Sequence, residues 1–148
     1  MVDNETIEAL ELLIVRSGAI TTRALAEVHP EIVALTVSQY RVLALLASAE
    51  DGLRVTELAR QGRTPVSAVG RLVFRLEDKG LLWSERGTMP DRRAVVVRLT
   101  DQGRITWAEI TDRRRQLLKE AIEGVPMPPG IADAFEAISE AFEQFTAS

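Results

Sequence analysis

Apolar residues recur every three or four positions along most of this chain, a spacing that predicts helices separated by polar breaks. Over residues 4–28, Ile7, Leu10, Ile14, Leu25 and Val28 keep that period with no internal proline, while Leu12, Leu13 and Val15 spread apolar surface beyond one stripe. A helix apolar on more than one side needs cover on more than one side, from its own domain or from a second subunit. His29-Pro30 ends it, because the residue before proline disfavours the helical backbone. Thr36-Val37-Ser38-Gln39 reads as a capping box opening a second helix over residues 37–49, which buries Val42, Leu43, Leu45 and Leu46.

The middle of the chain is more finely divided. Leu53-Arg54-Val55 is short and β-inclined, able to add a third strand to a later ribbon. Thr56 caps a brief helix that closes near Gly62, and a few residues on Thr64 caps another with Pro65 at its first position. That helix ends at Gly80, which tolerates a left-handed backbone. Val66, Val69, Leu72, Val73 and Leu76 form its buried stripe, and Ser67, Gly70, Arg71, Phe74 and Arg75 stand opposite. Two helices joined through so tight a turn have the spacing of a helix-turn-helix, whose second helix enters the DNA major groove. Two β-rich segments, 81–85 and 94–99, flank a Gly-Thr-Met-Pro-Asp turn and make a ribbon whose tip carries Arg86, Asp91, Arg92 and Arg93.

From Thr100-Asp101 a long helix runs to about residue 123 through Ile105, Trp107, Ile110, Leu117, Leu118 and Ile122. Gly124, Pro126, Pro128, Pro129 and Gly130 break it. A last helix repeats Ile131, Phe135, Ile138, Phe142 and Phe145 on one side and sets Asp133, Glu136, Glu140 and Glu143 on the other. Two readings of it stand. It docks on its own domain, or it intertwines with the N-terminal helix in a dimer, through Ile7, Leu10, Ile14, Ile131, Phe135, Ile138, Phe142 and Phe145.

Charge changes this picture only once it is mapped. The net charge of −4 argues against a nucleic-acid partner, yet residues 52–104 hold 11 Lys+Arg against 6 Asp+Glu, a balance of +5. The flanks carry −9 between them, so positive charge is concentrated on the helix-turn-helix and its ribbon. A solvated basic face gives the same count. At 148 residues, 46% hydrophobic and 27% charged, the chain is sized for one cored domain. No apolar run reaches the ~18 residues of a membrane span and the acidic start is no signal peptide, so the cytoplasm is expected. Without cysteine there is no disulfide, thiolate metal site or thiol sensor, and the lone His29 has no second histidine to share a metal. No nucleophile–base pairing, phosphate-binding glycine loop or metal spacing marks an enzyme, and no cofactor is expected.

Over residues 35–104 the sequence resembles the MarR family of bacterial transcriptional regulators. The matching pieces are Leu35-Thr36 with Gln39, Thr56-Glu57-Leu58-Ala59, Arg71-Leu72-Val73 with Arg75-Leu76-Glu77, Lys79-Gly80-Leu81, Asp91-Arg92-Arg93-Ala94, Leu99-Thr100 and Gly103-Arg104. The resemblance implies a mainly α fold with a small β-wing, a winged helix-turn-helix between long N- and C-terminal dimerisation helices. Residues 1–34 and 101–148 would be the dimerisation regions and residues 35–100 the DNA-binding lobe. It implies a homodimeric repressor on a pseudo-palindromic double-stranded operator, with Arg93 in a minor groove, Asp91 fixing the wing and Arg92 on a phosphate. Thr64, Pro65, Ser67, Ala68, Gly70, Arg71, Arg75 and Arg86 complete the expected DNA-binding set. The helix entry departs from the family pattern: proline stands one place early, Gly70 replaces a frequent serine and Phe74 a polar residue.

Arg71 and Arg75 would otherwise pair with Glu77, Asp78 or another acid, Arg93 would simply be solvated, and Phe74 would pack against the wing or the turn helix, with a sugar or methyl contact to DNA as its other reading. Read from the residues, Arg16, Tyr40 and Trp107 are core or helix surface. The resemblance adds a cleft between the dimer helices and the lobe where family members hold small aromatic or anionic effectors. The alternative for the whole chain is a winged-helix protein-interaction module without specific DNA binding.

Overall fold

The computed structural model describes residues 1–28, 34–86 and 94–147. Six helices and three strands run in the order α1 (Asn4–Glu27), α2 (Val37–Ala47), β1 (Leu53–Arg54), α3 (Val55–Gly62), α4 (Val66–Asp78), β2 (Leu82–Arg86), β3 (Val95–Leu99), α5 (Asp101–Ile122) and α6 (Ile131–Ala147). The mainly helical fold with a small antiparallel sheet is the winged helix expected from the sequence. The chain forms two compact units, residues 1–118 and 119–148. His29 and the wing tip Asp91, Arg92 and Arg93 lie outside the described residues.

In the first unit, α2 begins with the expected capping box. The Gln39 amide donates to Thr36 Oγ1 at 3.2 Å and the Thr36 amide to Gln39 Oε1 at 3.1 Å, so two otherwise orphaned donors are satisfied together. The third strand also forms: β1 pairs with β3 through Leu53 and Val97, and β3 with β2 through Leu82–Leu99, Ser84–Val97 and Arg86–Val95, in the order β1-β3-β2. Val55 already belongs to α3. Leu43, Leu46, Leu58, Val69, Leu76, Leu81, Val97 and Ile110 are fully buried and tie α2, α3, α4, the sheet and α5 into one core. Tyr40 joins them, its hydroxyl sharing a 2.9 Å hydrogen bond with Thr111.

Several helix ends differ from expectation. Residue 54, not Thr56, occupies the cap position of α3, and no side chain caps it. The left-handed residue that closes α3 is Arg63 (φ 49°) rather than Gly62. Pro65, with ψ 141°, takes the cap position of α4, whose first residue is Val66; Thr64 turns away and donates its hydroxyl to the Gly62 carbonyl at 3.0 Å. Gly80 (φ 73°) ends α4 as expected: its amide reaches the Glu77 carbonyl and that of Leu81 the Leu76 carbonyl, a Schellman closure. Thr100 then opens α5 by accepting from the Gly103 amide at 3.0 Å while donating to the Gly80 carbonyl at 2.7 Å. The missing side chain at Gly103 is a packing requirement, since a Cβ there would lie 1.8 Å from the Leu81 carbonyl oxygen.

The second unit holds the end of α5, a turn through Gly124 (φ 81°) and α6. No residue of α6 is buried; Phe135, Phe142 and Phe145 are exposed. On α1 only Ala24 and Leu25 are buried, and Ile7, Leu12, Leu13, Ile14 and Val15 are exposed. Ile105, Leu118 and Ile122 of α5 are exposed as well, so its apolar positions divide between the core and the surface.

Candidate nucleic-acid interface

Two helices and a sheet edge converge at α4. The α3–α4 turn is closed by the Thr64 amide on the Ala59 carbonyl at 3.0 Å, and Leu58, Ala59, Val69, Val73 and Leu76 bury the inner faces of the pair. With that side fixed, helical period leaves Ser67, Gly70, Arg71, Phe74 and Arg75 facing outward, and all five are exposed. Pro65 is exposed at the helix start, while Thr64 and Ala68 are half-buried. Val66 is a correction: expected in the buried stripe, it is 51% exposed because the chain enters α4 there and none of the described residues packs over the first turn. Leu72 is half-buried.

Phe74 is the second correction. Among the described residues neither the wing strands nor the turn helix covers it, and it remains 71% exposed. It stands on the rim of an open groove of about 660 Å³ between α4 and the sheet, with Val66, Gly70 and Glu77 on one wall and Val95 on the other. Arg86 is exposed at the end of β2, and its cross-strand neighbour is that same Val95. A second, smaller groove runs on the far side of α4, lined by Ser38, Arg41, Gly62, Thr64 and Leu72.

The electrostatics separate outward cations from those already satisfied. Among the described residues no ion pair or hydrogen bond engages Arg71, Arg75 or Arg86, so the internal pairing weighed for the first two does not occur there. Glu77 instead accepts a short hydrogen bond from the Ser84 hydroxyl, locking α4 to β2. Arg98 lies 5.7 Å from the Trp83 ring centroid and 3.9 Å from Glu85, and also donates to the Asp51 carbonyl. Arg60 is held by Glu57, whose carboxyl is lowered to about 2 by hydrogen bonds from Arg60 and then Gln61. Arg41 and Arg63 are exposed cations of the lobe that periodicity did not single out. The only signal for Arg63 was its place between Gly62 and Pro65, in a turn that points its side chain out.

The three residues named for an effector cleft do not share one environment. Arg16 is exposed on α1; Tyr40 is buried, with Arg114 5.4 Å from its ring centroid. Trp107 is half-buried against the core, and its indole N–H is shielded from solvent without an acceptor among the described residues. None of the three lines either groove beside α4.

Residues 35–94 match the model of the MarR family, a span that ends just before β3. No curated protein sequence matches the chain. Among solved structures, RV1404 from Mycobacterium tuberculosis is 26% identical with a TM-score of 0.76, over 96% of this chain and 97% of that one. A MarR family transcriptional regulator from Silicibacter pomeroyi is 25% identical with a TM-score of 0.65, over 88% and 84%. CouR from Rhodococcus jostii RHA1, solved bound to p-coumaroyl-CoA, shares the fold at 20% identity and a TM-score of 0.67, over 93% and 91%.

Proposed function

From the match of residues 35–94 to the MarR family, we propose that this chain is a DNA-binding transcriptional repressor. It acts in the cytoplasm, performs no enzymatic reaction, and binds a pseudo-palindromic operator as a homodimer. The observation that carries the reading is the open face of α4. Ser67, Arg71 and Arg75 stand one turn apart along it, with no acid engaging either guanidinium among the described residues. Guanidinium groups left in that state offer a bidentate fork to guanine O6 and N7 or to phosphate, and a helix of this width fits the major groove. Thr64, Pro65, Ala68 and Gly70 let the helix start approach closely, Arg86 continues the positive surface onto the ribbon, and Arg93 enters a minor groove with Asp91 fixing the wing and Arg92 on a phosphate.

Dimerisation is supported by the apolar surface of α1 and of α6, which a single chain leaves exposed at Ile7, Ile14, Phe135, Phe142 and Phe145, with Leu10, Ile131 and Ile138 half-buried. A small aromatic or anionic effector releases the DNA in this reading, by preferring one spacing of the two lobes. The aromatic thioester bound to CouR supports that chemistry, and the indole N–H of Trp107, without an acceptor among the described residues, offers a donor, with Arg16 and Tyr40 as the other cleft residues.

The test is fluorescence anisotropy on duplexes selected from a random pool. Arg71→Ala and Arg93→Ala are each expected to weaken specific binding by about 1–3 kcal/mol. Specific affinity should fall steeply with added salt, as phosphate neutralisation requires. Equal affinity for selected and scrambled duplexes, insensitive to both substitutions, would overturn the reading.

A further inference from the structure

We infer that Phe74 is a specificity-determining residue that reads the 5-methyl group of thymine in the major groove; this rests on the DNA-binding reading above. The outward surface of α4 is made of two parallel rows, each stepping by four residues. One is polar, Ser67-Arg71-Arg75; the other is apolar, Val66-Gly70-Phe74. Residues four apart on a helix lie one above the other, so the rows run side by side into whatever the helix meets.

The apolar row forms one wall of the groove beside the sheet, and among the described residues nothing fills that groove. Its large members are among the exposed apolar side chains, Val66 at 51% and Phe74 at 71%. Between them, Gly70 has no atom within 4 Å of where its Cβ would stand. A long helical side chain leans back over the turn that precedes it, which for Phe74 is the turn holding Gly70. The bare glycine leaves a shallow apolar saddle between two apolar walls, beside a row of guanidinium groups.

That arrangement fits one feature of a DNA groove edge. Only thymine projects an apolar group into the major groove, its C5-methyl, and phenylalanine is among the side chains that contact it. The guanidinium row demands guanine acceptors or phosphate, and the apolar row rewards a methyl at the neighbouring step. A polar residue at position 74 would be indifferent to that methyl; the phenyl ring is not. The surface therefore discriminates thymine from cytosine by burial of apolar area rather than by hydrogen bonds.

Deoxyuridine supplies the test, because it pairs as thymidine does and lacks only the methyl. A duplex pool selected on the full-length protein is resynthesised with deoxyuridine triphosphate in place of thymidine triphosphate, and both pools are titrated with wild-type protein, Phe74→Ala and Phe74→Leu. Wild type should bind the uracil pool about fourfold more weakly for each methyl it contacts, by the transfer free energy of one methyl-sized group. Phe74→Ala should bind both pools alike, and Phe74→Leu should keep part of the difference. The exposed ring leaves the fold intact on substitution, which circular dichroism checks. An undiminished uracil penalty in Phe74→Ala, or none in wild type, would overturn the inference while leaving DNA binding standing. A protein that enriches no duplex at all overturns the DNA-binding reading and this one with it.

Discussion

Helices α4 and α6 are built on the same plan and meet opposite fates. Each carries apolar residues at three- and four-residue spacing on one side and polar ones on the other. In α4 that side is buried as Val69, Val73 and Leu76; in α6 not one residue is. The difference lies in neighbours close in sequence. Around α4 the chain supplies α2, α3 and the sheet within some forty residues, enough to enclose Leu76 completely. An amphipathic pattern states that a face must be covered and leaves open which molecule covers it.

The contrast breaks most severely at α6. Phe135→Asp combined with Phe142→Asp puts two carboxylates where two exposed rings stand. Burying one such ring is worth roughly 1.5–3 kcal/mol, and a two-fold interface counts every substitution twice. The dissociation constant of the proposed dimer should rise by about 100-fold or more, read by sedimentation equilibrium, with the circular dichroism of the winged lobe retained. A wild-type protein already monomeric at micromolar concentration would show that α6 is covered in some other way.

Next in size is a pair of glycines that look alike in sequence and differ in surroundings. At Gly103 an alanine Cβ would meet the Leu81 backbone, which has no side-chain freedom with which to yield. Gly103→Ala should therefore cost about 3 kcal/mol in urea unfolding, the upper part of the usual overpacking range. At Gly70 a Cβ meets nothing, and alanine favours the helix interior. Gly70→Ala should stabilise by about 1 kcal/mol. Equal effects at both sites would contradict the packing described for the start of α5.

Those glycines also mark how far the sequence could be read. The capping box at Thr36 and Gln39, the closure at Gly80 and the third strand at Leu53 were legible because each depends on residues a few positions apart, or on an alternation shared with the partner strand. The role of Gly103 was not, since the group that excludes a side chain belongs to Leu81, twenty-two positions away. Thr64 and Thr56 looked like caps by residue type, yet Pro65 and Arg54 hold the extended backbone those positions require. Phe74 misled for a related reason: an aromatic ring is assigned to the core by default, and only the lack of cover over it among the described residues shows otherwise. The guanidinium face of α4 was legible from spacing. That Arg71 and Arg75 are engaged by no acid among the described residues was not, because Glu77 stood within reach and its preference for Ser84 is a matter of tertiary placement.

The smallest expected effect sharpens the comparison at α1, a helix mostly uncovered yet anchored at one end. Glu27 accepts from Arg113 of α5 at 2.5 Å and from Arg23, one turn back on its own helix, at 2.8 Å. Its carboxyl is lowered from 4.5, first by the Arg113 hydrogen bond and then by that of Arg23. A carboxyl with a depressed folded-state pKa adds stability that is complete above its unfolded value and lost as pH falls through the folded one. Glu27→Gln should therefore melt slightly below wild type at pH 7, and the two curves should converge as the pH is lowered beneath the ordinary glutamate value of 4.5. Both members are partly solvated, so added salt should narrow the gap as well. A difference in melting temperature that held constant from pH 7 down to pH 3 would mean that Glu27 secures the end of α1 by packing rather than by its charge.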